Sequence, residues 1–334
     1  MKRLTIIAAC LLLLAGCKHK SPEQTVKGDL QSPFSTDYSK VVIPEFNADS
    51  AYQYVADQLA LGVRHPGSKG HEACAKYIVD NMNRWCDTVI VQPFTARLWN
   101  DEKVDGKNII ASLRPDLEKR VLLAAHWDSR RWADHDTDTN NWRSPLPGAN
   151  DGASGVAVLM EMARVMSAMP PGVGIDFVFF DVEDQGIPEW ANRYEDNTWC
   201  LGSQHWAKNP HRLFYTAQYG ILYDMVGCPK PRYTKEEVSM GFAQGVMNKV
   251  WNAAEALGYG NVFVDELSSA ILDDHLYVNQ ILRIPTIDIV QNSKECSFYP
   301  HWHTMNDNLE AVDRNTMKTV ATVSMKVIYA ETTK

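Results

Sequence analysis

Five apolar residues in a row, Val121-Leu122-Leu123-Ala124-Ala125, run directly into His126-Trp127-Asp128. A strand with one wet face alternates polar and apolar residues, so a run without alternation must be covered on both faces, as a central strand is in a helix-sheltered sheet. Similar runs recur at Ile175 to Phe180, Gly220 to Val226 and Ile284 to Val290, the last as far as Pro285 permits. Between them the apolar spacing turns helical, at Ser50 to Leu61, from Gly70-His71-Glu72 through Tyr77, Ile78 and Met82, at Gly155 to Met166 and at Asn315 to Tyr329. Thr88 to Val91 and Asn108 to Ala111 add strands. The expected fold is one α/β domain, an α/β/α sandwich around a central mixed, mostly parallel twisted sheet. A chain of 334 residues with 45% hydrophobic content fills such a core. No linker, repeat or low-complexity tract divides it beyond about residue 40.

The first residues obey a different logic. Lys2-Arg3, an apolar run from Leu4 to Leu14 and the small residues Ala15-Gly16 before Cys17 describe an export signal, too short to be a spanning helix in a mature protein. The ending Leu14-Ala15-Gly16-Cys17 resembles the lipobox of bacterial lipoproteins, which implies cleavage before Cys17, lipidation of that residue and a periplasmic, membrane-anchored protein. The expected organisation is a signal peptide over 1–16, a lipidated tether over 17–40 and a catalytic domain over 41–334. A formal charge of −8 and a pI near 5.7 leave no basic stripe for nucleic acid, and Arg130-Arg131 is too short to supply one. Of seven cysteines, Cys10 would leave with the signal and Cys17 would carry lipid. That leaves Cys74, Cys86, Cys200, Cys228 and Cys296, an odd number whose pairing the sequence does not specify. No CxxC spacing suggests thiolate zinc ligands.

Polar clusters follow or close the strand-like runs: His126-Trp127-Asp128, Asn150-Asp151-Gly152, Asp181-Val182-Glu183-Asp184, Asp224, and the loop Pro300 to Asn308 with Trp302-His303. Open α/β sheets gather their ligands at such strand ends. Zinc takes about four ligands, often imidazole nitrogen and carboxylate oxygen. His126, Asp151, Asp184, Asp224 and His303 form a converging set of this kind. Asp128, two residues after His126, is placed to accept a hydrogen bond from its imidazole. Taken singly, Asn150-Asp151-Gly152 reads equally as a turn, Asp273-Asp274 as a helix cap and His135 as a solvated residue of a rim loop.

In their order, AHWD, NDGASG, FFDVED, YDMVG, DDH and WHTMNDN over residues 125 to 308 resemble the zinc-dependent aminopeptidases and their relatives, the animal-type glutaminyl cyclases. Asp273, where aminopeptidases have Ser, and Trp302 before the final His favour the cyclases. That resemblance implies one zinc on Asp151, Asp184 and His303, Glu183 as the proton-transfer carboxylate with Asp273 and Asp224 around it, and Trp302, Phe298 and Trp190 lining the substrate pocket. The substrates it implies are peptides or proteins with N-terminal Gln, cyclised to pyroglutamate with release of ammonia; a monomer is expected. This chain departs from the animal pattern at Gly152 (Ser), Asp184 (Glu) and Asp288 (His). The alternative is a two-zinc aminopeptidase, in which His126 and Asp224 would hold the second metal.

Overall fold

The computed structural model describes residues 36–193, 195–292 and 298–331. The leader, Cys17 and Cys296 lie outside the described residues. The compact unit spans Asp37–Lys334. Residues 37–40, read from the sequence as the end of the tether, therefore belong to the body, where Tyr38 is buried.

Helices α1 (Ala48–Ala60) and α2 (Lys69–Trp85) precede strands β1 (Thr88–Arg97), β2 (Lys103–Leu113) and β3 (Arg120–His126). Then follow α3 (Ala153–Ala168), β4 (Gly174–Phe180), α4 (Leu201–Lys208), β5 (Tyr219–Tyr223), β6 (Tyr233–Glu236), α5 (Glu237–Ala256), β7 (Phe263–Ser268), α6 (Asp274–Tyr277), β8 (Thr286–Ile289) and α7 (Arg314–Ala330). Six strands form one sheet in the order β1-β2-β4-β3-β5-β8, and β6 and β7 pair apart from it. β4, β3, β5 and β8 are mutually parallel, whereas β1 and β2 attach antiparallel at one edge. The sheet is mixed and mostly parallel, as the buried runs require.

Two cores flank the sheet. Val121, Leu123 and Ala125 of β3 enter the larger one with residues of α1, α2, α3, α5 and α7, while Leu122 and Ala124 enter the smaller one with Trp206 of α4. Alternation is absent from the sequence because both faces of the strand are covered. Ser68 opens α2 by accepting the His71 N–H at 3.1 Å, and Asn47 caps α1 through the Ser50 N–H at 3.0 Å.

Some boundaries differ from the sequence reading. β1 continues through Pro93 to Arg97, which its edge position allows because a missing N–H there breaks no ladder. β5 stops at Tyr223 rather than Val226, since Met225 adopts φ 49°. α4, β6, α5 and β7 are additional to the elements read from the sequence. Gly241 and Gly245 hide α5, which bends at Ala243 (φ −137°, ψ 33°), because glycine is a poor helix former. Among the described cysteines, Cys74, Cys86 and Cys200 are free thiols.

Candidate active site and metal centre

Parallel neighbours ending in register bring the polar clusters together. His126 pairs with Phe180, so β3 and β4 end side by side, and the Asp181 to Asp184 turn begins beside the imidazole. Asp224 follows β5 and donates its N–H to Ile289 O of β8 at 3.2 Å. Asp151 and His303 come from loops, which need other restraints. Buried Asp307 accepts the N–H groups of Asn150 at 2.8 Å and Asp151 at 3.1 Å. Buried Arg64 donates to Pro147 O at 2.7 Å and Gly148 O at 2.6 Å. Asp181 is an anchor rather than a site group: it meets His71 Nε2 at 2.9 Å and accepts the Lys107 N–H at 2.6 Å.

Among the described residues four groups of His, Cys or carboxylate side chains have ligand atoms within 4.8 Å of one another, and two of them, Asp151–Asp184–His303 and His126–Asp151–Asp224, are built from the strand-end residues. His303 Nε2 lies 3.0 Å from Asp184 Oδ1 and 3.6 Å from Asp151 Oδ2. His126 Nε2 lies 2.9 Å from Asp151 Oδ1 and 3.2 Å from Asp224 Oδ1. Asp151 thus belongs to both clusters through its two oxygens. A Cβ on Gly152 would come within 2.4 Å of His126 Nε2, so the serine of the animal pattern has no room unless the ring moves.

Asp128 Oδ1 faces His126 Nδ1 at 3.6 Å, an ion-pair distance that is long for a direct hydrogen bond. It accepts the N–H groups of Glu183 at 3.1 Å and Asp184 at 3.2 Å, and Gln185 Nε2 at 2.9 Å, fixing the turn that carries both acids. Arg130, which the sequence offered only as part of a short basic pair, is buried. It bonds Asp134 at 2.7 and 2.6 Å, donates to Asp184 O at 2.9 Å and stands 3.6 Å from Asp184 Oδ1.

These surroundings push the two imidazoles in opposite directions. Burial, together with the positive charges of Arg130, His135 and His126, holds His303 well below the usual histidine range. Burial also opposes a charge on His126, but the carboxylates of Asp128, Asp151, Asp224 and Glu183 outweigh it and push that imidazole well up. Glu183 is raised well above its ordinary value by burial and then, against the pull of His126, by Asp184, Asp273 and Asp274. Asp224 is pushed up to about 7, chiefly by burial with Asp273 and Asp151 adding to it. Such shifted acids can hold and release protons near neutrality.

Cys200 Sγ donates to Glu183 Oε1 at 3.3 Å. Asp273 is both a helix cap and a cavity residue, because it accepts the Asp274 N–H at 2.5 Å while lining the same cavity as Glu183. Asp274 lies behind it, buried in the first turn of α6. Asp288 is buried beside Asp273, and burial followed by the charge of Asp273 pushes it well above the ordinary carboxylate range.

The cavity is about 500 Å³, floored by Asp151, Glu183, Asp184, Asp224, Asp273 and His303 and walled by Trp199, Phe298, Trp302, Ile187, Ile271 and Met225. Trp302 packs on His303 at 3.8 Å, Phe298 at 4.7 Å and His135 at 4.3 Å between ring centroids, so His135 is a packing partner and not merely solvated. Trp190 does not line the cavity. It belongs to an aromatic cluster with Trp132 at 5.9 Å and Trp142 at 6.4 Å, under the Arg143 guanidinium at 4.6 Å. Trp199 stands in the wall instead, near-parallel to His303 (6.1 Å, 8°) and beneath Arg130 at 4.7 Å. Trp199 shows no signal in the sequence; only the return of the chain past Glu183 into α4 places it there.

Residues 108–328 match Peptidase family M28. The structure resembles that of Tannerella forsythia glutaminyl cyclase, with TM-score 0.84 and 48% identity over 86% of this chain and 100% of the other. It is similar also to a Zn-dependent exopeptidase from Parabacteroides distasonis, with TM-score 0.84 and 46% identity over 87% of this chain and 100% of that one. The Bos taurus glutaminyl-peptide cyclotransferase is 25% identical over 293 residues, covering 76% of this chain and 74% of its own.

Proposed function

The chain belongs to peptidase family M28 and, within it, to the glutaminyl cyclases, and we propose that it converts the N-terminal glutaminyl residue of peptides or proteins to pyroglutamate with release of ammonia. The observation that carries this reading is the acid pair Glu183 and Asp273 on one cavity, beside the Asp151–Asp184–His303 cluster and under an aromatic wall. Those three residues fit zinc: two carboxylates and an imidazole held neutral are a zinc donor set, and buried Asp184 Oδ2 has no hydrogen-bond partner. We assign one zinc to them. When bound, it supplies Lewis-acid polarisation of the γ-amide carbonyl.

Glu183 accepts a proton from the α-amine as that nitrogen bonds to the γ-carbonyl carbon. It returns the proton to the amide nitrogen as the C–N bond breaks and ammonia leaves. Asp273 and Asp224 keep the carboxylate group short of full ionisation, which suits Glu183 to both steps. Trp302, Phe298 and Trp199 enclose the side chain and hold amine and carbonyl together, the intramolecular advantage of ring closure.

A Gln-initiated peptide tests the reading: its mass should fall by that of ammonia, with no amino acid released. Release of the first residue would establish the two-zinc aminopeptidase reading, which the His126–Asp151–Asp224 cluster favours. We also propose export and lipid anchorage at Cys17. Cys17→Ser should leave an unlipidated precursor, and unchanged membrane partition would exclude the anchor.

A further inference from the structure

We propose that the face of the body opposite the active site docks on a neutral lipid surface through the turn carrying Leu213 and Phe214. Strands β3, β4, β5 and β8 end at the catalytic cluster and begin, at the other end of the sheet, with Arg120, Gly174, Tyr219 and Thr286. The link from α4 into β5 passes this far end. At its tip Leu213 is 85% and Phe214 91% exposed, an adjacent pair rather than scattered single residues.

The tip is held rigidly. Tyr215 N–H closes the turn on Arg212 O at 3.2 Å, Arg212 Nη1 reaches Pro115 O at 3.3 Å, and the Tyr215 hydroxyl bonds buried Asp176 at 2.9 Å. Phe214 sits at φ 56°, where a bulky side chain is disfavoured and glycine or asparagine is usual. The backbone strain is retained at a position where the ring makes no core. Phe242, 48% exposed, adds apolar surface beside Gln218, Tyr219 and Pro285, at the start of β5 and β8.

The occupant follows from where the chain enters the body. Tyr38 packs against α5 and α7, and Lys326 near the end of α7 binds the carbonyl of Val41, so the body's chain begins on this face. The sequence before it carries Cys17, the proposed lipidation site. A lipid carried at Cys17 is joined covalently to the body through Asp37, whose neighbour Tyr38 lies against α5 and α7. Asp116 and Glu118 flank the turn along with Arg212, so contact is by apolar insertion, not attraction to anionic headgroups. The catalytic cavity then opens away from the bilayer, toward soluble peptides. None of this depends on the cyclase assignment.

Solved relatives align along 100% of their own length with 86% and 87% of this chain, so a body starting at Asp37 folds without the preceding segment. That body is floated with phosphatidylcholine vesicles at millimolar lipid, beside Leu213→Ser/Phe214→Ser. Wild type should float with the vesicles at low and high salt alike, and the double variant should float at least tenfold less, with unchanged melting temperature. Failure of the wild-type body to float, equal flotation of the variant, or dependence on anionic lipid lost in salt overturns the proposal. So does light scattering that shows the wild type self-associating through these residues, since a second copy would then cover the face.

Discussion

Asp151 serves two clusters of the same residue types whose electrostatics are opposed. On one side His303 is held neutral beside the Arg130 guanidinium; on the other, His126 is driven toward imidazolium by the carboxylates around it. A neutral imidazole offers a lone pair to a metal, while an imidazolium offers a positive charge in place of one. One buried arginine and an unequal number of neighbouring acids make the difference. The first cluster presents a neutral imidazole with two carboxylates, whereas the second draws a cation, a proton on His126 or a metal ion, to balance its acids.

The largest expected effect is on the first cluster. His303→Ala should lose zinc and activity together, by about 10³-fold or more, the rate equivalent of the several kcal/mol a Lewis acid contributes. Elemental analysis with turnover on a Gln peptide checks it, and activity surviving without metal would break the assignment. Glu183→Gln keeps size and hydrogen bonding but removes the proton carrier. A rate loss on the order of 10²–10⁴ with zinc retained is expected, whereas loss of zinc would make Glu183 a ligand. His126→Ala should keep the metal and slow turnover by about 10–100-fold, as for a residue that supports a metal site from outside it. If it removes one of two bound zincs, the two clusters are alike after all.

The smallest effect is in stability. Without metal, Asp224 at about 7, Asp307 at about 8 and the raised His126 all bind protons more tightly in the folded chain than in the unfolded one. For the acids, this stabilisation is lost as pH climbs from the ordinary carboxylate value of about 3.9 through the folded values. For His126, it is complete below about 6.5 and is lost as pH rises through the folded value. The melting temperature of the zinc-free protein should therefore fall from about pH 6 to 9, by several degrees. Zinc, which binds deprotonated ligands, should flatten or reverse the slope. Calorimetry of both forms decides it, and a zinc-free protein that gains stability over this range would contradict the raised proton affinities of these three groups.

The central strands were legible because total burial removes alternation, a pattern that Val121 to Ala125 shows without any structure. Glu183, Asp184 and Asp224 were legible because parallel strands end together and the turns that follow them are short, whereas Asp151 and His303, on longer loops, were legible only from the motifs NDGASG and WHTMNDN. Arg130 and Asp307 were not, and Asp128 was read as the partner of His126 rather than of the Glu183 to Gln185 turn. Each is a charged residue whose task is to hold another segment's backbone, and nothing local distinguishes it from a surface charge. The exchange of Trp190 for Trp199 in the cavity wall has the same origin, since the two stand nine positions apart between strand and helix and only the return into α4 selects which ring faces inward. By itself, then, the sequence determined the sheet, its helical cover and the residue types of the metal site, all of which follow from burial period and strand-end position. The tertiary structure decided what one sequence position cannot encode: which imidazole is neutral, which acids lie close enough to perturb one another and which rings wall the cavity, because those properties depend on charges and walls contributed by distant parts of the chain.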